Sequence, residues 1–244
     1  VGLISSSGGL VYHLRARKFQ RSLWQPFTQQ VSIWLKEWAP PNQEIVFIGP
    51  SAGYTLDLDF FSRFERIVFY EPDWVARLIL KRRLHQALRI NSPSRHTLPR
   101  IESNCQPFNH HTYLEVLESH PQSAFLFSNV LGQLRLDGHT ASSLSVFARD
   151  LNSQLAQMPA LSWASYHDRL SGPIAPTLAH QTLANLNHRL ATRELANLVY
   201  SDAVGGELTD HETDQWFQTD RARYAAWQLR PNWTHLIEWV QKPT

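Results

Sequence analysis

Cysteine is almost missing from this chain: Cys105 is the only one in 244 residues. A single thiol excludes an internal disulfide framework and a cysteine-rich zinc site, and it fits a reducing compartment. Long apolar runs are missing too. No stretch approaches the roughly 18 consecutive apolar residues of a membrane span, and the first residues lack the basic and apolar regions of a secretory signal. The expectation is a cytoplasmic protein with no membrane partner. Charge of one sign is also scarce. The formal net charge is +2, with twelve histidines able to raise it in mild acid, so nothing demands a nucleic-acid partner. What the chain does have is an apolar content of 43%, enough to bury a sizeable core.

Residues Glu44 to Asp73 carry the strongest pattern. The apolar run Ile45-Val46-Phe47-Ile48 leads into Gly49-Pro50-Ser51-Ala52-Gly53, and Ile67-Val68-Phe69-Tyr70 then repeats the run and closes on Glu71. Such runs read as strands buried on both faces, the first handing over through a glycine-bracketed turn to a helix-like segment. Glycine at positions 49 and 53 lets backbone approach a ligand where a Cβ would intrude. Glu71 follows Gly53 by 18 residues, near the roughly 20-residue offset at which a Rossmann-like site places its ribose-binding acid. Ser51 stands where a middle glycine is usual, and Pro50 removes one amide donor from the loop. Both changes weaken a pyrophosphate cradle and favour a cofactor without phosphates. The plainer alternative is that the two glycines serve only a tight turn of another α/β fold.

The series IVFIGPSAGYTL, IVFYEPD and SAFLFSNVLGQL resembles the first, second and fourth motifs of the class I S-adenosylmethionine-dependent methyltransferases, over about Glu44 to Leu134. The resemblance implies an α/β, Rossmann-like doubly wound, mostly parallel seven-stranded sheet with a C-terminal antiparallel hairpin. It implies S-adenosylmethionine as cofactor, with Gly49, Ser51 and Gly53 in the glycine-rich loop, Glu71 as the ribose-binding acid, and Asn129 at the fourth strand tip beside the transferable methyl. On this view residues 1–41 are an N-terminal helical extension, and residues 42–244 the methyltransferase domain.

The rest of the chain is read from its own residues. Val1 to Gly9 carry no pattern. Phe27, Val31, Trp34, Leu35 and Trp38 form one face of a helix stopped by Pro40-Pro41. A helix from Asp73 past Leu80, Leu84 and Leu88 carries Arg77, Lys81, Arg82, Arg83 and Arg89, either a solvated face or a phosphate contact. A short third strand is expected at Arg100 to Asn104, a buried strand at Ser123 to Ser128, and a helix from His139 to Gln157. Residues just past a parallel strand tip point into the ligand crevice, which makes Asn129 and Gln133 site candidates. Asn129 capping its own turn is the bland alternative.

A fifth strand over Ala160 to Tyr166 is expected to run into the loop His167-Asp168-Arg169-Leu170-Ser171-Gly172-Pro173. There His167 or Asp168 would take a proton from a nucleophile or orient it, and Arg169 would hold an anionic group; the alternative is a salt-linked turn in which Asp168 and Arg169 are structural. Ala175 to Leu198 read as helical. The polar segment Thr209 to Asp214 reads as a substrate-covering loop with His211 toward the substrate. His211 and Asp214 lack a matching histidine at any recognised spacing, so no metal is assigned. Tyr224 to Leu229 and His235 to Val240 form the closing hairpin.

The function expected from all this is methyl transfer from S-adenosylmethionine to a small or medium-sized acceptor. The alternatives are a non-catalytic methyltransferase-like binding module and a nucleotide- or NAD-binding Rossmann protein. No residue pattern names the acceptor atom or the oligomeric state.

Overall fold

The computed structural model describes residues 9–91, 98–134, 140–173, 183, 186–200 and 208–242. Four parallel pairings build the centre of one sheet. Strand β1 (Glu44–Ile48) lies between β2 (Arg66–Tyr70) and β4 (Ala124–Ser128); β3 (Arg100–Asn104) extends it beyond β2, and β5 (Ser162–Gly172) beyond β4. The far end is antiparallel, with β8 (Trp233–Gln241) on β5 and β7 (Arg223–Arg230) on β8, giving the order β3-β2-β1-β4-β5-β8-β7. The two-residue β6 (Thr209–Asp210) also pairs antiparallel with β5, making eight strands where seven were expected.

The apolar runs dictate the layers. Successive side chains alternate between sheet faces, and with Ile45–Ile48 of β1, Ile67–Tyr70 of β2 and Ala124–Phe127 of β4 unbroken apolar or aromatic runs, both faces must be covered. Ile45, Phe47, Ile67 and Phe69 pack with α1 (Gly9–Phe19), α2 (Gln25–Trp38) and α3 (Trp74–Asn91). Val46, Ile48, Val68, Phe125 and Phe127 pack with α4 (Tyr113–Glu118), the single turn α5 (Leu131–Leu134), α6 (Ala141–Gln157) and the helix Thr192–Tyr200, here α7. The result is the doubly wound, Rossmann-like architecture. All five residues of the expected α2 stripe are buried, with Phe27 stacked on Trp227 and Trp34 on Trp239. Among the described residues no helix is long and apolar enough to cross a membrane.

Three expectations need correction. After Gly53 the chain makes turns and a 3₁₀ helix, Leu58–Arg63, instead of an α-helix. Asp57 caps that helix by accepting from the Asp59 amide, and Phe61 packs on Phe47 with ring centroids 4.0 Å apart, so a tighter three-residue turn is what brings the aromatic cluster inward. Next, residues 167 to 172 are strand, not loop: β5 continues six residues beyond Tyr166, because β8 pairs with it to Gly172. Finally, of the helix expected over Ala175 to Leu198, residues 175–182, 184 and 185 lie outside the described residues, and α7 begins only at Thr192. Of the unpatterned start, residues 1–8 likewise lie outside them, whereas Gly9 already opens α1.

Candidate active site

The strand order reverses between β1 and β4, and in an open α/β sheet this switch point is where a ligand crevice forms at the carboxyl ends of the strands. Gly49 and Gly53 lie there in the left-handed region, at φ +64° and +67°, with Ser51 between them at φ +49°. A Cβ on Gly49 would stand 2.7 Å from Val130 Cβ, and one on Gly53 would stand 2.8 Å from Leu80 Cδ1. The two glycines thus let the loop after β4 and the helix α3 close on the turn.

Glu71, just past the tip of β2, is tied to that turn. The Ser51 amide donates to its Oε2 at 2.8 Å, and the Asp73 amide to its Oε1 at 3.0 Å. Burial pushes the Glu71 carboxyl up, while these two amides work against the shift. Each oxygen retains a lone pair for a further donor. Two cations of α3 hold backbone rather than phosphate: Arg77 donates to the Glu71 carbonyl at 2.6 Å, and Arg83 to the Ala52 carbonyl at 2.6 Å while lying over the Tyr54 ring. Helix α1 crosses the same region, with His13 Nδ1 at 3.1 Å from the Tyr54 hydroxyl and Nε2 at 3.7 Å from Asp73.

On the other side of the crevice, Asn129 ends β4 in the left-handed conformation, φ +53°, which asparagine tolerates better than most residues. Its amide donates to the Tyr166 carbonyl at 2.8 Å; its Nδ2 donates to Asp168 Oδ2 at 3.1 Å, and its Oδ1 accepts from the Asp168 amide at 2.9 Å. The side chain continues the β4–β5 ladder where the backbone stops.

Asp168 is the hub of this half. It is 4% exposed, and its Oδ1 lies 3.0 Å from His235 Nδ1. Burial alone would push its carboxyl up, but His235, His211 and the Asn129 amide hold it at about 2. The segment expected to cover substrate docks on the extended edge of β5. The His211 amide donates to the Arg169 carbonyl at 3.1 Å, His211 Nε2 lies 3.0 Å from Ser171 Oγ, and Thr213 donates to the Asp168 carbonyl at 2.5 Å. Gly132 in α5 makes room: a Cβ there would stand 3.2 Å from Asp168 Cβ and 3.5 Å from His211 Nδ1. Gln133 follows on the same turn; its side chain lies outside the described residues.

His167 and Arg169 are carried away from this cluster. Ordinary strand alternation puts Arg169 on the same face as His167, opposite Asp168. Both are completely buried around Glu238 of β8. His167 Nε2 lies 3.2 Å from Glu238 Oε1 and its Nδ1 3.0 Å from Ser165 Oγ; Arg169 and Arg189 both pair with Glu238, and the Tyr224 hydroxyl donates to it at 3.0 Å. Burial opposes ionisation of Glu238, yet His167 and the two guanidinium groups hold its carboxyl at about 2. Burial also pushes the His167 imidazole down. These groups form a closed ionic knot in the core.

Of the residues expected at the site, the structure therefore gathers Gly49, Ser51, Gly53 and Glu71 on one side, and Asn129, Asp168 and His211 on the other. His235 escaped the sequence reading, since nothing local marks it within an alternating strand. Its only signal was the pairing of β8 with β5, which sets residue 235 opposite Ser171.

No family model matches the chain, and no curated protein matches it. Among solved structures, it is similar to magnesium protoporphyrin IX methyltransferase from Synechocystis PCC 6803 with bound SAM, at 14% identity over 93% of this chain and 84% of that one, TM-score 0.44. It is also similar to the N-methyltransferase NodS from Bradyrhizobium japonicum, at 9% identity over 90% and 98%, TM-score 0.39. A third is spermidine synthase from Thermotoga maritima, at 12% identity over 89% and 60%, TM-score 0.42.

Proposed function

We propose that the chain binds S-adenosylmethionine across the carboxyl ends of β1, β2 and β4, and transfers its methyl group to a small or medium-sized acceptor. The observation that carries this reading is the bond from the Ser51 amide to the Glu71 carboxylate at 2.8 Å, which joins the glycine turn and the acid at the switch point of the sheet. In this reading Glu71 accepts from the ribose diol with its free lone pairs, and Gly49, Ser51 and Gly53 shape the turn against which the cofactor lies. Pro50 leaves the turn one amide short of a pyrophosphate cradle, which favours a cofactor with no phosphates.

Bound S-adenosylmethionine would supply an electrophilic methyl group on a sulfonium, its carbon–sulfur bond breaking as an acceptor lone pair forms the new bond and the neutral thioether S-adenosylhomocysteine being left. The chain's part is alignment. Asn129 orients Asp168 through two hydrogen bonds; Asp168 accepts a hydrogen bond from the acceptor group and holds it in line. His211 and Gln133 stand on the acceptor side. His167 and Arg169, enclosed with Glu238, act as positioning residues that fix the extended β5 and with it Asp168.

The test is release of S-adenosylhomocysteine in the presence of panels of hydroxyl, amine and thiol acceptors. Acceptor-dependent release that is abolished by Asp168→Asn is expected. No release with any panel, from protein shown to bind the cofactor, would overturn the catalytic reading.

A further inference from the structure

Asp168, His211 and His235 come from three separate strands or strand edges, and one potential ligand atom from each lies within 4.8 Å of the other two. In a tetrahedral site with bonds near 2 Å, neighbouring ligand atoms stand about 3.3 Å apart, so a closing movement of at most about 1.5 Å between side chains completes the set. The rings are also prepared for it. Ser171 engages His211 Nε2 at 3.0 Å and leaves its Nδ1 over, while His235 already turns Nδ1 toward Asp168 Oδ1 at 3.0 Å. His211 Nδ1 and His235 Nε2 are buried and without a hydrogen-bond partner among the described residues. His211 is 5% exposed, so bulk water offers its orphaned nitrogen little. The orphaned His211 Nδ1, buried in the same cluster as the Asp168 carboxylate, costs the fold free energy unless something fills its lone pair.

We infer that Asp168, His211 and His235 bind a divalent transition-metal ion. The donor set, two imidazoles and one carboxylate, suits zinc, manganese, iron(II) or cobalt rather than the all-oxygen preference of magnesium and calcium. The outer contacts are those of a built metal site. Ser171 fixes the His211 ring, Asn129 holds Asp168 Oδ2, and Thr213 holds the Asp168 carbonyl. Gly132 leaves open the space beside Asp168 and His211 Nδ1. Three protein ligands leave at least one coordination position for an outside oxygen or nitrogen. On the methyl-transfer reading above, that position would belong to the acceptor: a hydroxyl bound there would be more acidic and would release its proton to solvent water before accepting the methyl group.

The site is tested with the metal alone. Chelator-treated protein is titrated calorimetrically with zinc chloride, then separately with magnesium chloride. One equivalent of zinc and no saturable magnesium binding are expected, with zinc affinity falling at least about tenfold in His211→Ala, in His235→Ala and in the outer-contact variant Ser171→Ala. His110 and His111, exposed neighbours beside Asp150, are the control: the double variant His110→Ala/His111→Ala should retain the equivalent. Should a ligand variant fail to fold, histidine side-chain NMR on the unaltered protein decides, because zinc should move the signals of His211 and His235 among the twelve histidines. Absence of saturable zinc binding would overturn the assignment, as would binding that survives all three variants or is lost only with His110 and His111. Zinc binding by protein that ignores S-adenosylmethionine would uphold the metal site and sink only the methyl-transfer reading.

Discussion

Asn129 and Asp168 exchange two hydrogen bonds: the Asn129 amide nitrogen donates to the Asp168 carboxylate at 3.1 Å, and the Asp168 backbone amide donates to Asn129 Oδ1 at 2.9 Å. An asparagine side chain thus acts as the next rung of a sheet whose strand has already turned away. Removing it leaves a buried amide and a buried carboxylate oxygen short of a partner. Asn129→Ala is expected to cost about 1–3 kcal/mol, measured as a shift in the urea midpoint at unchanged slope.

Gly49 meets Val130 across the switch point, and a Cβ on it would stand 2.7 Å from Val130 Cβ. With φ at +64°, Gly49→Ala is expected to lose about 1–3 kcal/mol from backbone strain alone, and more from the clash. The double variant Gly49→Ala/Val130→Ala should recover the steric part. A double-mutant cycle on denaturant curves reads that coupling; strict additivity would show that the contact is not what selects glycine.

Glu238 neutralises part of a buried double cation. Arg169 and Arg189 both pair with it, His167 lies against it and Tyr224 donates to it. Glu238→Gln is expected to destabilise by about 3–5 kcal/mol, because two guanidinium groups lose their counter-charge. The drop should appear in the thermal midpoint while far-UV circular dichroism stays native at low temperature.

The same carboxylate sets an acid limit. Its folded value of about 2 lies below the ordinary 4.5, so the ionised form is favoured by folding. Its stabilisation is complete above the unfolded value and is lost as pH falls from about 4.5 toward about 2. Stability measured across that window should fall more steeply for the parent protein than for Glu238→Gln. Parallel curves would contradict the assignment.

The parallel half of the sheet was legible because its strands are contiguous apolar runs. Ile45 to Ile48, Ile67 to Tyr70 and Ala124 to Phe127 admit hardly any other placement, and Glu71 then falls where the fold puts an acid. The extension of β5 was not legible. His167-Asp168-Arg169 reads as a polar loop by local composition, and becomes strand by pairing with β8, from which Glu238, about seventy residues on, supplies the counter-charge for His167 and Arg169. The half of the site around Asp168 suffers from the same blindness. His211 had no partner at any local spacing, and its companion, His235, comes from β8 through strand pairing that no window of sequence contains. Asp168 and Asn129 were found from their places near strand tips, but the bonds between them depend on the β4–β5 register.

The most direct measurement is calorimetric titration of the protein with S-adenosylmethionine, S-adenosylhomocysteine and NAD under identical conditions, repeated with Glu71→Ala. Saturable binding of the first two and not of NAD is expected, with affinity for both falling about tenfold to a hundredfold in the variant, the equivalent of about 1.5–3 kcal/mol for hydrogen bonds to a charged group. Binding of NAD alone, equal affinity in Glu71→Ala, or silence from all three ligands would contradict a methyl-donor site at this crevice, and silence would leave a methyltransferase-like binding module in its place.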